Sequence, residues 1–139
     1  MLARRLSKKL QDVTYTRIGV SEIHGVGVVA IRPIPAGVNP FGDTTYMEEL
    51  VPMTEAEVDA LGPPIAKLVR DFCLPQDGIY WVMPSGFNKL DVSFYMNHSE
   101  LNPNVEAVHN GEGTLCNFRS IRPIAEGEEL LFNYYKETH

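Results

Sequence analysis

The sequence predicts a mostly-β fold, α+β with the α part minor, and three observations predict it. Short apolar stretches rich in Val, Ile, Thr, Phe and Tyr are cut at close intervals by Gly and Pro, the pattern of short strands joined by tight turns. Asn110-Gly111-Glu112-Gly113 stands between two such stretches and reads as a hairpin turn, because Asn and Gly tolerate positive φ. Helical signals are confined to the N-terminal arm and to one insert in the middle of the chain. A length of 139 residues suits one domain. We read an arm or short helix over residues 1–12, then a domain over 13–139 with a helical insert at about 54–73.

Taken in order, Leu2, Leu6 and Leu10 stand four apart among Arg4, Arg5, Lys8 and Lys9. That spacing puts the leucines on one helical face, as a docking helix or arm. Val13 to Val20 alternates in the β manner, and Val26 to Ile31 is a short strand after Gly25-Val26-Gly27. Pro33, Pro35, Gly37, Pro40 and Gly42 then mark turns. Thr54-Glu55-Ala56-Glu57 is a capping box that opens a helix to about residue 61, which Gly62 ends. Pro63-Pro64 opens a second helix to about Asp71, with Ile65, Leu68 and Phe72 on one face. Ile79 to Met83 reads as a strand, Val105 to His109 and Thr114 to Ile121 as hairpin arms, and Glu129 to Tyr134 as a last strand. Ile31-Arg32-Pro33-Ile34 with Gly37 recurs as Ile121-Arg122-Pro123-Ile124 with Gly127. Each copy suits a strand end, because proline removes a ladder donor, and the pair suggests pseudo-symmetric sheets folded on each other.

An apolar fraction of 44% supports one core, and a net charge of −6 disfavours nucleic-acid backbone as a partner. It mildly favours a basic peptide. No apolar run approaches the ~18 residues of a membrane span, and no apolar signal region follows Arg4-Arg5. The expectation is a soluble intracellular protein, cytoplasmic or, in a eukaryote, nuclear. Cys73 and Cys116 are too few for a disulfide framework or a four-cysteine zinc site and read as core thiols. His24, His98, His109 and His139 lack metal-ligand spacing, so no metal is expected. Glu48-Glu49, Glu126, Glu128 and Glu129 read as solvated charge.

Two clusters carry the chemistry. Asn97-His98-Ser99 is followed by Pro103-Asn104, and Glu128-Glu129-Leu130-Leu131-Phe132-Asn133-Tyr134 comes later. Together they resemble the two signatures of the SET-domain lysine methyltransferases, R-F-x-N-H-S-C-x-P-N and E-L-x-F-D-Y. The likeness spans roughly residues 14 to 135. It implies a SET-type β-clip of several small sheets, a knot-like C-terminal segment and S-adenosylmethionine as cofactor. The implied substrate is a lysine of a protein or peptide, histone or histone-like.

By this resemblance Gly25, Val26 and Gly27 line the cofactor site through main-chain groups, glycine allowing close backbone approach to a ligand. Asn97 holds the amino-acid end of the cofactor, and His98 contacts its adenine largely through backbone. Tyr134 is the catalytic tyrosine, with Tyr135 its rival if the register slips by one. Phe132 leaves room for a second or third methyl group. The chain departs from the pattern at Phe94, Glu100 and Asn133. Pro40-Phe41-Gly42 stands where the family has a Y-x-G, so the usual tyrosine is absent unless Phe41 or Tyr46 fills its space.

Transfer from a sulfonium needs a neutral amine, yet free lysine has a pKa near ~10.4. An apolar channel disfavours the ammonium, and aromatic walls hold a methylated cation. Tyr95, Phe132, Trp81 and Phe41 are the expected substrate-channel residues. No general base is required if water carries the proton away. Only five residues follow Tyr134, so a second subunit, as in a homodimer, or the substrate itself is expected to supply the missing wall. Two other readings stand beside the enzyme: a SET-like binding module that has lost turnover, and another folded-β domain such as an antifreeze-like sugar-binding domain.

Overall fold

A computed structural model of the chain describes residues 1–42, 49–108 and 117–138. The chain divides into two units, one formed by residues 1–45, 91–109 and 116–139 and the other by 46–90 and 110–115.

The first unit begins with helix α1 (Leu2–Val13), none of whose residues is buried. Leu2, Leu6, Leu10 and Val13 are all exposed. The strand expected from Val13 starts instead at Thr16, because Val13 continues the helical period and the Thr14 N–H still donates to the Leu10 carbonyl at 3.1 Å. Then follow β1 (Thr16–Val20) and β2 (Val26–Ala30), paired antiparallel from Thr16↔Ala30 to Val20↔Val26.

The second unit holds β3 (Val51–Thr54), α2 (Glu55–Asp59), α3 (Pro63–Phe72) and β4 (Ile79–Val82). The capping box forms as expected: the Thr54 hydroxyl accepts from the Glu57 N–H at 3.2 Å, and Glu57 accepts from the Thr54 N–H at 3.1 Å. Strand β3 was not anticipated because Pro52 sits inside it. A two-stranded sheet has only edges, where proline is tolerated. The buried face of α3 is Ala66, Val69 and the following Cys73, not Ile65, Leu68 and Phe72, and Ile65 is exposed. Arg70 on the same helix reaches Glu55 and Asp59, both at 2.5 Å. Cys73 is the core thiol expected, and burial pushes its pKa up to about 11. Cys116 lies outside the described residues.

Back in the first unit, a 3-10 turn (Val92–Tyr95) leads into β5 (Asn97–His98), β6 (Val105–Val108), β7 (Asn117–Ser120) and β8 (Glu129–Thr138). The hairpin arms pair antiparallel from Val105↔Ser120 to Val108↔Asn117; the expected turn at 110–113 lies outside the described residues. Strand β8 runs past Tyr134 because Ala107 and Val108 of β6 pair with Glu137 and Thr138. The sheet order is β1-β2-β8-β6-β7, with β5 also on β8. Both β5 and β6 run parallel to β8. The core beneath is Val28, Ala30, Ile34, Met96, Val105, Ile124 and Leu130. This mostly-β architecture of small sheets with few helices is the fold class the sequence predicts.

Candidate active site

Three segments of the first unit meet around β8. Met96 is fully buried in the core and anchors the stretch that follows it. Asn97 then pairs with Leu131 and His98 with Phe132. The Ser99 N–H closes the stretch on the Phe132 carbonyl at 3.1 Å. Asn104, itself buried, rivets β8 from the other side. Its Oδ1 accepts from the Leu131 N–H at 2.8 Å, while its Nδ2 donates to the Glu129 carbonyl at 2.8 Å and to Glu128 Oε2 at 3.0 Å.

Tyr134 lies beside the Asn97 segment. Its hydroxyl donates to the Met96 carbonyl in a short hydrogen bond, and its N–H donates to His98 Nδ1 at 3.0 Å. His98 Nδ1 is thus the accepting nitrogen of the ring. Burial, helped by Tyr135 and the negative charge of Glu129, raises the Tyr134 pKa above the usual phenol value. The phenol is therefore a protonated donor at neutral pH. Tyr135, the rival for its role, is 80% exposed. Its ring meets that of His98 edge-on at 5.2 Å.

Asn97 Nδ2 faces four acceptors: Ser21 Oγ at 3.0 Å, the His24 carbonyl at 3.1 Å, the Val26 carbonyl at 3.0 Å and Glu129 Oε2 at 3.0 Å. The Ser21 hydroxyl donates to the same carboxylate, 2.8 and 2.9 Å from its two oxygens. Gly25 has φ +52°, with open space where a Cβ would go. At Gly27 a Cβ would stand 2.5 Å from Glu129 Oε2 and 3.1 Å from Asn97 Nδ2. The bare Cα of Gly27 thus leaves room for the Glu129 carboxylate.

Glu128 and Glu129 are half-buried and hydrogen-bonded, not solvated charge; Glu126 alone of the three is exposed. Burial pushes the Glu128 pKa up, but contacts with Arg122, the Ala125 N–H and Asn104 outweigh it and hold the carboxyl below its usual value. Glu49 is exposed as expected, and Glu48 lies outside the described residues.

The aromatic residues form a run. Phe41 meets Phe118 edge-on at 5.7 Å, Phe118 meets Phe132 at 5.3 Å, Phe132 meets Tyr134 at 4.7 Å, and Tyr134 meets His98 at 4.9 Å. Tyr95 packs half-buried on the same core. Trp81 belongs to β4 of the other unit, across from Pro52. Tyr46, His109 and His139 lie outside the described residues. Sequence reasoning missed Phe118, Ser21 and Glu129. The one signal for Ser21 was a hydroxyl residue just ahead of the glycine turn, a common turn residue in any chain. Among the described residues no group of three or more His, Cys, Asp or Glu could hold a metal ion, and no helix is long and apolar enough to cross a membrane.

This is a mostly-β domain whose last strand carries a phenol against an asparagine-bearing segment. Residues 25–135 match the family model described as SET domain, and the chain belongs to that family, whose members are generally protein-lysine methyltransferases. No curated protein sequence matches it. Among solved structures it is similar to a candidate histone methyltransferase of Plasmodium falciparum. That likeness has 18% identity and a TM-score of 0.55, and covers 87% of this chain and 93% of the other. It is also similar to the Chaetomium thermophilum Polycomb Repressive Complex 2 in a humanized mutant bound to the inhibitor GSK126. There the identity is 23% and the TM-score 0.54, over 88% of this chain and 15% of the other. The chain thus spans about one seventh of that second protein.

Proposed function

We propose that this chain transfers a methyl group from S-adenosylmethionine to a lysine side chain of a protein substrate, histone or histone-like. The observation that carries the reading is the Tyr134 phenol held on the Met96 carbonyl, one residue before Asn97. The residues present suit such a donor, which carries two positive centres. The wall around Asn97 is rich in acceptors, and no Lys or Arg among the described residues pairs with the Glu129 carboxylate. Gly25, Val26, Gly27, Asn97 and His98 would hold it. When bound it supplies an electrophilic methyl group on a sulfonium.

The chain's own residues then have three tasks. The first is to desolvate the lysine, which Phe41, Phe118, Phe132 and Tyr95 serve as apolar walls. The second is to orient the amine. Tyr134 spends its proton on Met96 and keeps its oxygen lone pairs for an amine N–H. The third is to exclude water and fix the approach, the main source of rate in an in-line displacement.

Incubation with a labelled donor and histones tests the reading. Tyr134→Phe should lower kcat by about a hundredfold, the scale of one preorganised hydrogen-bonding group, at unchanged donor affinity. An unchanged rate in that variant overturns the site assignment. Donor binding without transfer to any lysine-rich protein is the signature of a SET-like binding module.

A further inference from the structure

We infer that Glu129 and Ser21 are positioning residues that lock the Asn97 amide in one of its two orientations, so that Oδ1 is presented to the ammonium of the methyl donor. The inference rests on the donor reading above and concerns the residues behind the proposed contact.

A side-chain amide can turn over, exchanging its donor and acceptor ends. At Asn97 the surroundings decide which end goes where. Of the four groups at 3.0–3.1 Å from Nδ2, two are main-chain carbonyls and one is a carboxylate, none of which can donate. Turning the amide over would set Oδ1 against all three. The two N–H bonds are shared among four acceptors, and the charged one takes the strongest share.

The carboxylate is itself fixed. Ser21 has one hydroxyl proton, and it goes to Glu129. Its oxygen accepts from the Ile23 N–H at 2.9 Å, the His24 N–H at 3.1 Å and Asn97 Nδ2 at 3.0 Å, three donors sharing two lone pairs. This ties the loop before Gly25 to the same carboxylate, and the bare Cα of Gly27 gives that carboxylate its room. The charge is not spent on an ion pair with any described Lys or Arg. Nor does the turn require it. The residue at the matching place in the first Ile-Arg-Pro-Ile copy is Asn39, whose Oδ1 accepts locally from the Phe41 N–H at 3.0 Å.

The test compares two ligands by calorimetry: S-adenosylmethionine, and 5′-methylthioadenosine, which lacks the amino-acid end. Ser21→Ala and Glu129→Met should each weaken the first by about tenfold, the scale of one hydrogen bond to a charged group, and leave the second unchanged. Ser21→Thr, which keeps the hydroxyl, should restore affinity. In the ligand-free protein both disruptive variants should shift the Asn97 side-chain amide resonances, a readout independent of turnover. Equal losses for both ligands, or no loss for either, overturn the inference while leaving the donor reading intact. Wild-type protein that binds neither ligand overturns both.

Discussion

Residues 31–38 and 121–128 trace the same path and are held by different side chains. Their main chains bond reciprocally. Ile34 and Ile124 exchange N–H···O bonds at 2.8 and 2.9 Å, the Gly37 N–H donates to the Ser120 carbonyl, and the Gly127 N–H donates to the Ala30 carbonyl. Gly37 and Gly127 have φ of +81° and +84°, a conformation glycine adopts without strain. The first copy has Pro35 and Val38 where the second has Ala125 and Glu128. Pro35 has no N–H to satisfy, and the Val38 side chain carries no acceptor. Ala125 keeps its N–H and Glu128 accepts it at 3.1 Å. Ser120, matching the buried Ala30, donates its hydroxyl to the Pro35 carbonyl at 2.6 Å. Backbone reciprocity and two glycines set the shape. The side chains vary so long as each donor keeps an acceptor.

The strongest way to break this symmetry is to hollow it. Ile34→Ala and Ile124→Ala, both at fully buried positions, should each cost about 2–5 kcal/mol in urea unfolding. If the copies are equivalent the two losses match; a gap of several-fold would show that one copy carries the core. Next comes Ser120→Ala, which strips the hydroxyl from the Pro35 carbonyl and from the Val38 N–H that it accepts at 3.1 Å. Thermal melts should show about 1–3 kcal/mol lost, the cost of buried polar groups left unpaired.

The arginines should differ more mildly. Arg32 stacks over the Tyr15 ring at 4.1 Å and donates to the Thr14 carbonyl at 2.8 Å. Arg122 pairs with Glu128 at 2.7 Å while still 42% exposed. Arg32→Ala should cost about 1–2 kcal/mol and Arg122→Ala under about 1 kcal/mol, and the reverse order would mean that the surface pair is the stronger brace. The smallest effect is acid dependence. The folded pKa of Glu128 is lowered, so its contribution is present above the unfolded value near ~4.3 and is lost as pH falls through the folded value. Glu128→Gln should flatten the acid side of the melting-temperature profile, by under about 1 kcal/mol. The first copy, with Val38, supplies no such slope.

Much of this was legible in the chain. The capping box, the Gly/Pro punctuation and the doubled Ile-Arg-Pro-Ile are local signals, and each formed the turn or helix it encodes. The neighbourhood of Asn97 and Tyr134 was legible only through resemblance, since 37 positions separate them and nothing local links an amide to a phenol. Glu128 and Glu129 were misread because a run of acids looks solvated in one dimension. Arg122 and the Ala125 N–H are local partners of Glu128, but Ser21, Asn97 and Asn104 come from other segments and are neutral, so no charge pattern announces them. The face of α3 was misjudged by one residue: Ala66, Val69 and Cys73 keep the same i, i+3, i+7 spacing as Ile65, Leu68 and Phe72, so the period alone does not choose between them.

Strand β8 joins the 21–27 loop, the Asn97 segment and β6, drawing on pieces of chain about a hundred residues apart. Contacts of that separation form only after large loops close, which slows folding toward the range of roughly milliseconds to seconds. Strand β8 is synthesised after all three segments, so the β1–β2 and β6–β7 pairs can form first but join into one sheet only once the ribosome has delivered residues 129–138.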